Sequence, residues 1–387
     1  MFEFTEERLS ELGASITTRE IKQQPRLWQE TLENYLKKEN EINDYLSGIL
    51  EKHSNVKVIF TGAGTSAYVG ESIEAYLNQI TLDSHFTFHA YATTDIVSNP
   101  MVYLKADIPT LLVSFARSGN SPESIAAVEL AKKIVKDFYQ LTITCAADGQ
   151  LALAAQGDDK NLVLLQPDLS NDQGFAMTGS FTCMSLTALL TFDSVDRLLK
   201  ENYVSAIVEM GKSVIEREGV IQSIVNLDYN RVVYLGSGGF KGLAQEAQLK
   251  ILELTAGKIT TVFDSSLGFR HGPKSFINDK TLVFVFLSND AYTRKYDEDI
   301  VIEMSQDQIA AKVLPIQIGE FSTANIDSFG FDEIYRTLPD AYLIFPYILF
   351  GQTLALLSSI KVGNKPDTPS PSGTVNRVVK GVTIYPL

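Results

Sequence analysis

The sequence predicts an α/β protein made of two tandem doubly wound parallel-sheet domains, each a flavodoxin-like α-β-α sandwich, with an N-terminal helical arm and a C-terminal tail. Three observations lead there. Apolar runs of strand length alternate with longer stretches of helical periodicity. The alternation restarts at Arg231. Each half places a small-residue, glycine-bearing loop directly after its first strand. The expected organisation is an arm over 1–44, a first domain over 45–205, a second over 206–362 and a tail over 363–387. A chain of 387 residues, 45% hydrophobic and 21% charged, is long enough for two or three domains.

From Thr18 to Leu50, apolar residues at Leu27, Leu32, Tyr35, Leu36, Ile42, Tyr45 and Leu46 fall near helical spacing among many charges, as in a solvated arm packed on a domain or a second subunit. Val56–Phe60 then reads as a strand, 61–66 as a small-residue loop and Ala67–Ile80 as a helix. Strands follow at Phe86–Tyr91, Pro109–Phe115, Gln140–Cys145 and Leu162–Leu165, with a helix over Ile125–Ile134. One long helix is expected from Thr178 to Leu199 and another stretch from Lys200 to Glu218. The second round runs through a strand at Val232–Leu235, a glycine loop at Gly236–Phe240 and a helix at Gly242–Thr255. Strands at Leu282–Leu287, Lys312–Ile318 and Leu343–Phe345 complete it. Ile59 to Ser66 corresponds to Tyr234 to Phe240, and Phe115 to Asn120 to Phe286 to Asp290, so the unit is duplicated. The tail is rich in Pro, Ser and Gly, which reads as loop, yet Val378, Val379, Val382 and Ile384 offer enough apolar surface to dock it.

A net charge of −14 argues against a general nucleic-acid binder but not against a phosphate ligand in a local pocket. Cys145 and Cys183 lie in apolar contexts and read as buried free thiols of a reducing compartment. The four histidines, His53, His85, His89 and His271, form no cluster of metal-ligand spacing with cysteine. The N-terminus is acidic without an apolar signal core, and no apolar run is expected to span a membrane. The expected compartment is the cytoplasm.

The stretch Ser114 to Ser124 carries the most chemistry. It joins the end of an apolar strand to a helix N-terminus and is dense in Ser, Gly and Asn. Free amides and the helix dipole favour an anion there, with Ser118, Ser121 and Ser124 adding hydroxyls. The alternative is an ordinary helix cap, with Asn120 or Ser121 bonded to orphan amides and Pro122 at the first helical position. In the loop after the first strand, Gly64 lets the backbone approach a ligand and Thr65 and Ser66 supply hydroxyls. That loop lacks the Gly-Lys-[Ser/Thr] of a P-loop and the full dinucleotide fingerprint, so a phosphate monoester fits better. Only the first half keeps such loops, so only it is expected to hold phosphate. In the second half, Lys250 and Glu253 stand at i and i+3 on one helix face, which is acid–base chemistry or a surface ion pair. His271, held among glycines and proline in Gly268 to Lys274, is a titratable group or a structural histidine, and Lys380 is by default a solvated tail lysine.

Five motifs carry a resemblance to a known family: Gly-Ala-Gly-Thr-Ser at 62–66, Ser-Gly-Asn-Ser-Pro-Glu at 118–123, Leu-Lys-Ile-Leu-Glu-Leu-Thr at 249–255, Arg-His-Gly-Pro at 270–273 and Val-Val-Lys-Gly-Val-Thr at 378–383. From about residue 45 the chain resembles two tandem sugar isomerase (SIS) domains and is similar to the isomerase half of glucosamine-6-phosphate synthase. The arm motif at 19–28 and the tail motif at 369–377 resemble the AgaS group, described as galactosamine-6-phosphate deaminase/isomerases or tagatose-6-phosphate ketose/aldose isomerases. The resemblance implies a sugar-phosphate cradle of Thr65, Ser66, Ser118 and Ser121, with Gly64 and Arg117 beside them. It implies Glu253 as the base moving a proton between C1 and C2, Lys250 lining the site, and Lys380 on a C-terminal loop that closes over the sugar. It implies His271 as the ring-opening group, supplied by a neighbouring subunit, hence a homodimer or higher homo-oligomer. Ala176 and Met177 fall in the backbone stretch that contacts the sugar. Arg117 and Asn120 depart from the synthase, which has an amide and an acid there. The spacing from Glu253 to His271 is also longer than in the synthase, and the glutaminase domain is absent.

A carboxylate at Glu253 suits an open-chain 2-amino aldose phosphate, whose C2 proton is acidic. The expected reaction is deaminating isomerisation of D-galactosamine 6-phosphate to D-tagatose 6-phosphate and ammonia, with no metal or organic cofactor needed. Plain aldose–ketose isomerisation would use the same base. A non-catalytic sugar-phosphate sensor would need only the cradle, together with a separate DNA-binding or partner domain.

Overall fold

A computed structural model describes residues 1–80, 85–321, 323, 325–370, 372, 373, 375–379 and 381–387. The chain forms two compact units, one of Arg26–Gln173, Met177–Glu201 and Ser372–Leu387, the other of Met1–Pro25, Gly174–Ala176 and Asn202–Pro371.

The first unit holds strands β1 (Val56–Thr61), β2 (Phe86–Ala90), β3 (Thr110–Ala116), β4 (Phe138–Thr144) and β5 (Asn161–Leu165). All pair in parallel in the order β2-β1-β3-β4-β5. Every residue of β3 and β4 is buried, as a strand covered on both faces requires. On one face Phe60, Phe88 and Phe115 form an aromatic cluster with Phe192 of the helix Gly179–Phe192. On the other, Ile59, Leu112 and Ala116 pack with Ala127 and Ala131 of the helix Pro122–Ile134. The single helix expected over Thr178–Leu199 is two helices, Gly179–Phe192 and Arg197–Glu216. Asp193 turns extended, accepts from the Val195 amide and from Tyr76, and Asp196 caps the next helix through the Leu199 amide at 2.9 Å. The helix Gly179–Phe192 is wholly buried, and its open end is satisfied by one carboxylate. Asp172 accepts from the amides of Thr178, Gly179 and Ser180 and from both neighbouring hydroxyls.

The second unit repeats the pattern with β6 (Arg231–Gly236), β7 (Thr260–Asp264), β8 (Thr281–Phe286), β9 (Lys312–Ile318) and β10 (Phe329–Phe331), parallel in the order β10-β9-β8-β6-β7. Read from the edge next to its first strand, this is the same 2-1-3-4-5 order as in the first sheet, so the duplication extends to topology. Tyr234, Phe284 and Phe286 face the helices Gly239–Leu254 and Asp340–Lys361 through Phe240, Tyr347 and Phe350. Val233, Leu235, Val283 and Val285 face the opposite side, where they pack with Phe269 and with Ile300, Val301 and Met304 of the helix Ala291–Asp307. Leu343–Phe345, expected as a strand, lies inside the helix Asp340–Lys361, and β10 takes the edge position instead. That 22-residue helix corrects a second expectation, because it is long and apolar enough to cross a membrane. Here 94% of its most apolar window is buried within the protein, which explains its lack of a polar face.

The tail is held by polar groups rather than by its valines. Val379 is 53% exposed, and Val382 and Ile384 are each 37% exposed. Instead, Asp367 accepts from the Ile16 and Thr17 amides in the second unit. In the first unit, Arg377 donates to the Asp172 carbonyl and to Asn171 Oδ1, each at 2.8 Å. Both cysteines are buried free thiols, and burial pushes Cys145 up to about 12, so it stays protonated.

Candidate active site

In a doubly wound sheet, ligands bind where strand order reverses, at the C-terminal ends of the strands on either side of that point. In the first unit this is the crevice between β1 and β3, where Thr61, the last residue of β1, pairs with Ser114 of β3. Gly62–Gly64 leaves β1 and feeds the helix Thr65–Ile80. Gly64 has φ +58° with open space where a Cβ would stand, and a Cβ on Gly62 would lie 2.5 Å from Ser66, so both positions require glycine. Thr65 and Ser66 are buried in the first helical turn, and Ser66 donates to the Met177 sulfur at 3.8 Å.

From β3 the loop runs through Arg117, Ser118, Gly119 (φ +67°), Asn120 and Ser121 into Pro122 at the start of the next helix. Ser118 Oγ accepts the Asn120 amide at 3.3 Å, Asn120 Oδ1 accepts the Gln150 amide at 3.0 Å, and Ser121 and Ser124 share a hydroxyl bond of 2.7 Å. Ser121 sits at the cap position without capping, and Asn120 is spent elsewhere. The cap alternative is therefore not what these two side chains do at this helix start. Beneath the loops, the hydroxyls of Thr61, Ser114 and Thr93 are buried without a partner among the described residues, so the crevice floor is polar. Arg117 is buried and donates through Nη2 to the Arg377 carbonyl at 2.7 Å. Together with the bonds from Arg377 to Asn171 and Asp172, this fixes the tail at Arg377, three residues before Lys380, which lies outside the described residues.

In the second unit, the helix Gly239–Leu254 carries a buried charge cluster. Lys250 is fully buried, 2.7 Å from Glu253 and 3.4 Å from Glu246, which is also fully buried, whereas the Glu253 side chain is 23% exposed. Burial alone would lower the Lys250 ammonium; the two carboxylates outweigh it and hold it above the usual lysine range. Lys250 is thus a fixed cation, and Glu253 is the member of the cluster that reaches solvent. The surface ion pair is excluded by this burial. Removing the cation would take a buried counter-charge from Glu246 and Glu253 at once. Lys250→Met should accordingly cost about 3–5 kcal/mol, read as the shift in urea-unfolding free energy.

His271 is exposed on a loop of two 3-10 turns, Gly268–Arg270 and Pro273–Phe276, with Gly272 at φ +123°. Phe269 anchors this loop in the cluster with Ile300, Val301 and Met304, and Arg270 and Lys274 bind Glu303. That is the face of the second sheet opposite the helix bearing Glu253, so within one chain this unit does not bring His271 to Glu253. Ala176 is 2% exposed and belongs to the second unit, where the neighbouring Gly174 amide donates to Glu20. Met177 belongs to the first.

Sequence reasoning passed over Glu246, Arg377, Asp172 and Asp297. Glu246 was findable, since it stands at i−4 from Lys250 and i−7 from Glu253 on one helix face.

The fold and the glycine-bearing crevice define a SIS-domain protein, and the SIS domain family matches residues 52–192. D-galactosamine-6-phosphate deaminase AgaS of Shewanella sp. (strain ANA-3) is 43% identical over 382 residues, covering 98% of this chain and 94% of that protein. The Escherichia coli protein of the same name is 43% identical, covering 96% and 95%. The chain belongs to this AgaS family of SIS proteins. The crystal structure of tagatose-6-phosphate ketose/aldose isomerase from Escherichia coli superposes with a TM-score of 0.86 at 39% identity, covering 96% of both chains. The C-terminal domain of glucosamine-fructose-6-phosphate aminotransferase from Francisella tularensis, at 16% identity and a TM-score of 0.73, shares the fold.

Proposed function

We propose that this protein is an enzyme that converts D-galactosamine 6-phosphate to D-tagatose 6-phosphate and ammonia. The carrying observation is 43% identity over nearly the full length to proteins named as that deaminase, in a chain that has both the crevice and the Lys250–Glu253 pair. In this reading the hydroxyls of Thr65, Ser66, Ser118 and Ser121 and the amides of the two helix starts take the phosphate. Glu253 removes the C2 proton of the open-chain amino aldose and returns it at C1, passing through an enolamine to a 2-imino sugar. Lys250, fixed as a cation, or Lys380 stabilises the developing oxyanion. Water adds to the imine carbon and ammonia leaves, giving the ketose phosphate. Because His271 lies across its own sheet from Glu253, its ring-opening role would be exercised on a second copy, so the active form would be at least a dimer. The compartment we propose is the cytoplasm.

The name of the Escherichia coli structure favours a second reading, isomerisation without loss of nitrogen, which would employ the same base. Free ammonia separates the two. The purified protein with galactosamine 6-phosphate should release ammonia, with glucosamine 6-phosphate as control. No ammonia from folded protein would favour plain isomerisation if tagatose 6-phosphate is still turned over, and a sensor if it is not.

The tail gives a further expected result. Removing residues 375–387 takes away the Arg377 anchor and Lys380 while leaving both sheets whole. Activity should fall at least about tenfold, the loss of roughly one charge-assisted contact, while circular dichroism still reports both sheets folded. A fully active truncation would clear the tail of any role.

A further inference from the structure

The duplication leaves a second crevice, between β6 and β8, with the same backbone as the first. Gly238 has φ +58°, the value found at Gly64, again with nothing within 4 Å of the place a Cβ would take. A Cβ on Gly236 would lie 2.5 Å from Phe240, as one on Gly62 would from Ser66. What differs is what fills it. The fully buried Asp297 points its carboxylate into this crevice. Its Oδ1 accepts Ser237 from the glycine loop at 2.5 Å and Ser266 at 2.5 Å, and its Oδ2 accepts the Ser288 amide from the β8 loop at 3.1 Å. Asp340 takes the next donors, the Asn289 amide at 2.7 Å and Ser288 Oγ at 2.5 Å. Asp290 caps the following helix through the amides of Tyr292 and Thr293, whereas Ser121, at the cap position of the helix after β3, makes no side-chain cap bond. Donors of the kind left open in the first crevice are here turned inward onto carboxylates of the chain.

We infer that Asp297 is a built-in anion that seals the second crevice in place of a phosphate, so that each chain takes one phosphomonoester, and that removing this carboxylate opens a second phosphomonoester site. The inference extends the reading of the first crevice as the phosphate site and can be separated from it. The seal is charged at neutral pH, because burial raises Asp297 only to about 6 against the pull of its serine and amide donors. Asp340 beside it occupies the adjoining donors, so an external dianion meets a crevice whose donors are already taken.

The test is calorimetric titration of the full-length protein with inorganic phosphate. Wild type should bind one phosphate per chain. Asp297→Ser should bind two, the second at least about tenfold more weakly because Asp340 remains. Adding Ser118→Ala and Ser121→Ala to Asp297→Ser should weaken the first site and leave the second unchanged. None in wild type and one in Asp297→Ser would support the seal while removing the first crevice as the phosphate site. One in wild type and still one in folded Asp297→Ser would overturn the inference. Should that variant not fold, Asp297→Asn keeps the shape without the charge, and its melting temperature should rise with phosphate more than that of wild type. An equal rise, or failure of both variants to fold even in phosphate, would equally overturn it.

Discussion

Glu253→Gln should lower turnover by roughly 10²–10⁴-fold, the usual contribution of a positioned acid–base group, equal to about 3–5 kcal/mol of barrier. The substitution keeps size and shape and removes only the ability to take a proton. The fold should tolerate it, because Lys250 keeps Glu246 as a counter-charge at 3.4 Å and no buried cation is left alone. Affinity for the phosphosugar should change little, since none of the hydroxyls assigned to the phosphate is touched. The measurement is kcat and KM for ammonia release, with binding checked by titration of the inactive variant. Equal activity would place the base elsewhere, and intact binding with every biological function retained would favour the sensor reading. Lys250→Met is the complementary experiment, because it should fail in stability before it fails in chemistry.

Most of the fold was legible because its signals are local. Strands buried on both faces read as continuous apolar runs, and glycines with positive φ mark where each first strand meets its helix. The failures have physical causes. The helix Asp340–Lys361 is buried almost all round, so it lacks the polar stripe that separates a helix from a strand, and its aromatic and β-branched run at 343–345 mimicked one. The edge strands β7 and β10 escaped notice because one alternates weakly and the other has three residues. At the site, the loop glycines and hydroxyls were legible as types at spacings, whereas their partners were not. That Asn120 is spent on Gln150, that Asp172 closes a buried helix, and that Asp297 fills the second crevice are long-range facts that no local pattern encodes. The same holds for His271, whose motif is clear in sequence while the sheet face it occupies follows only from the packing of Phe269.

Replacing Ser118 and Ser121 together by alanine should raise KM for phosphorylated sugars by about 10²-fold or more while kcat changes far less. Each hydroxyl bond to a charged partner contributes about 1.5–3 kcal/mol, so two independent bonds would give at least about a hundredfold. The two will not add fully, because both lie on one loop and Ser121 already bonds Ser124 at 2.7 Å, a contact that binding must rearrange. Binding should not vanish, since the helix-start amides and the Thr65 and Ser66 hydroxyls remain. The discriminating control is the unphosphorylated amino sugar. Its weak interaction should be the same in wild type and variant, because a group that serves the phosphate contributes nothing to a ligand without one. An unchanged KM for the phosphorylated sugar would remove both serines from the cradle. An equal loss for both sugars would mean that the loop shapes the pocket rather than holding the phosphate.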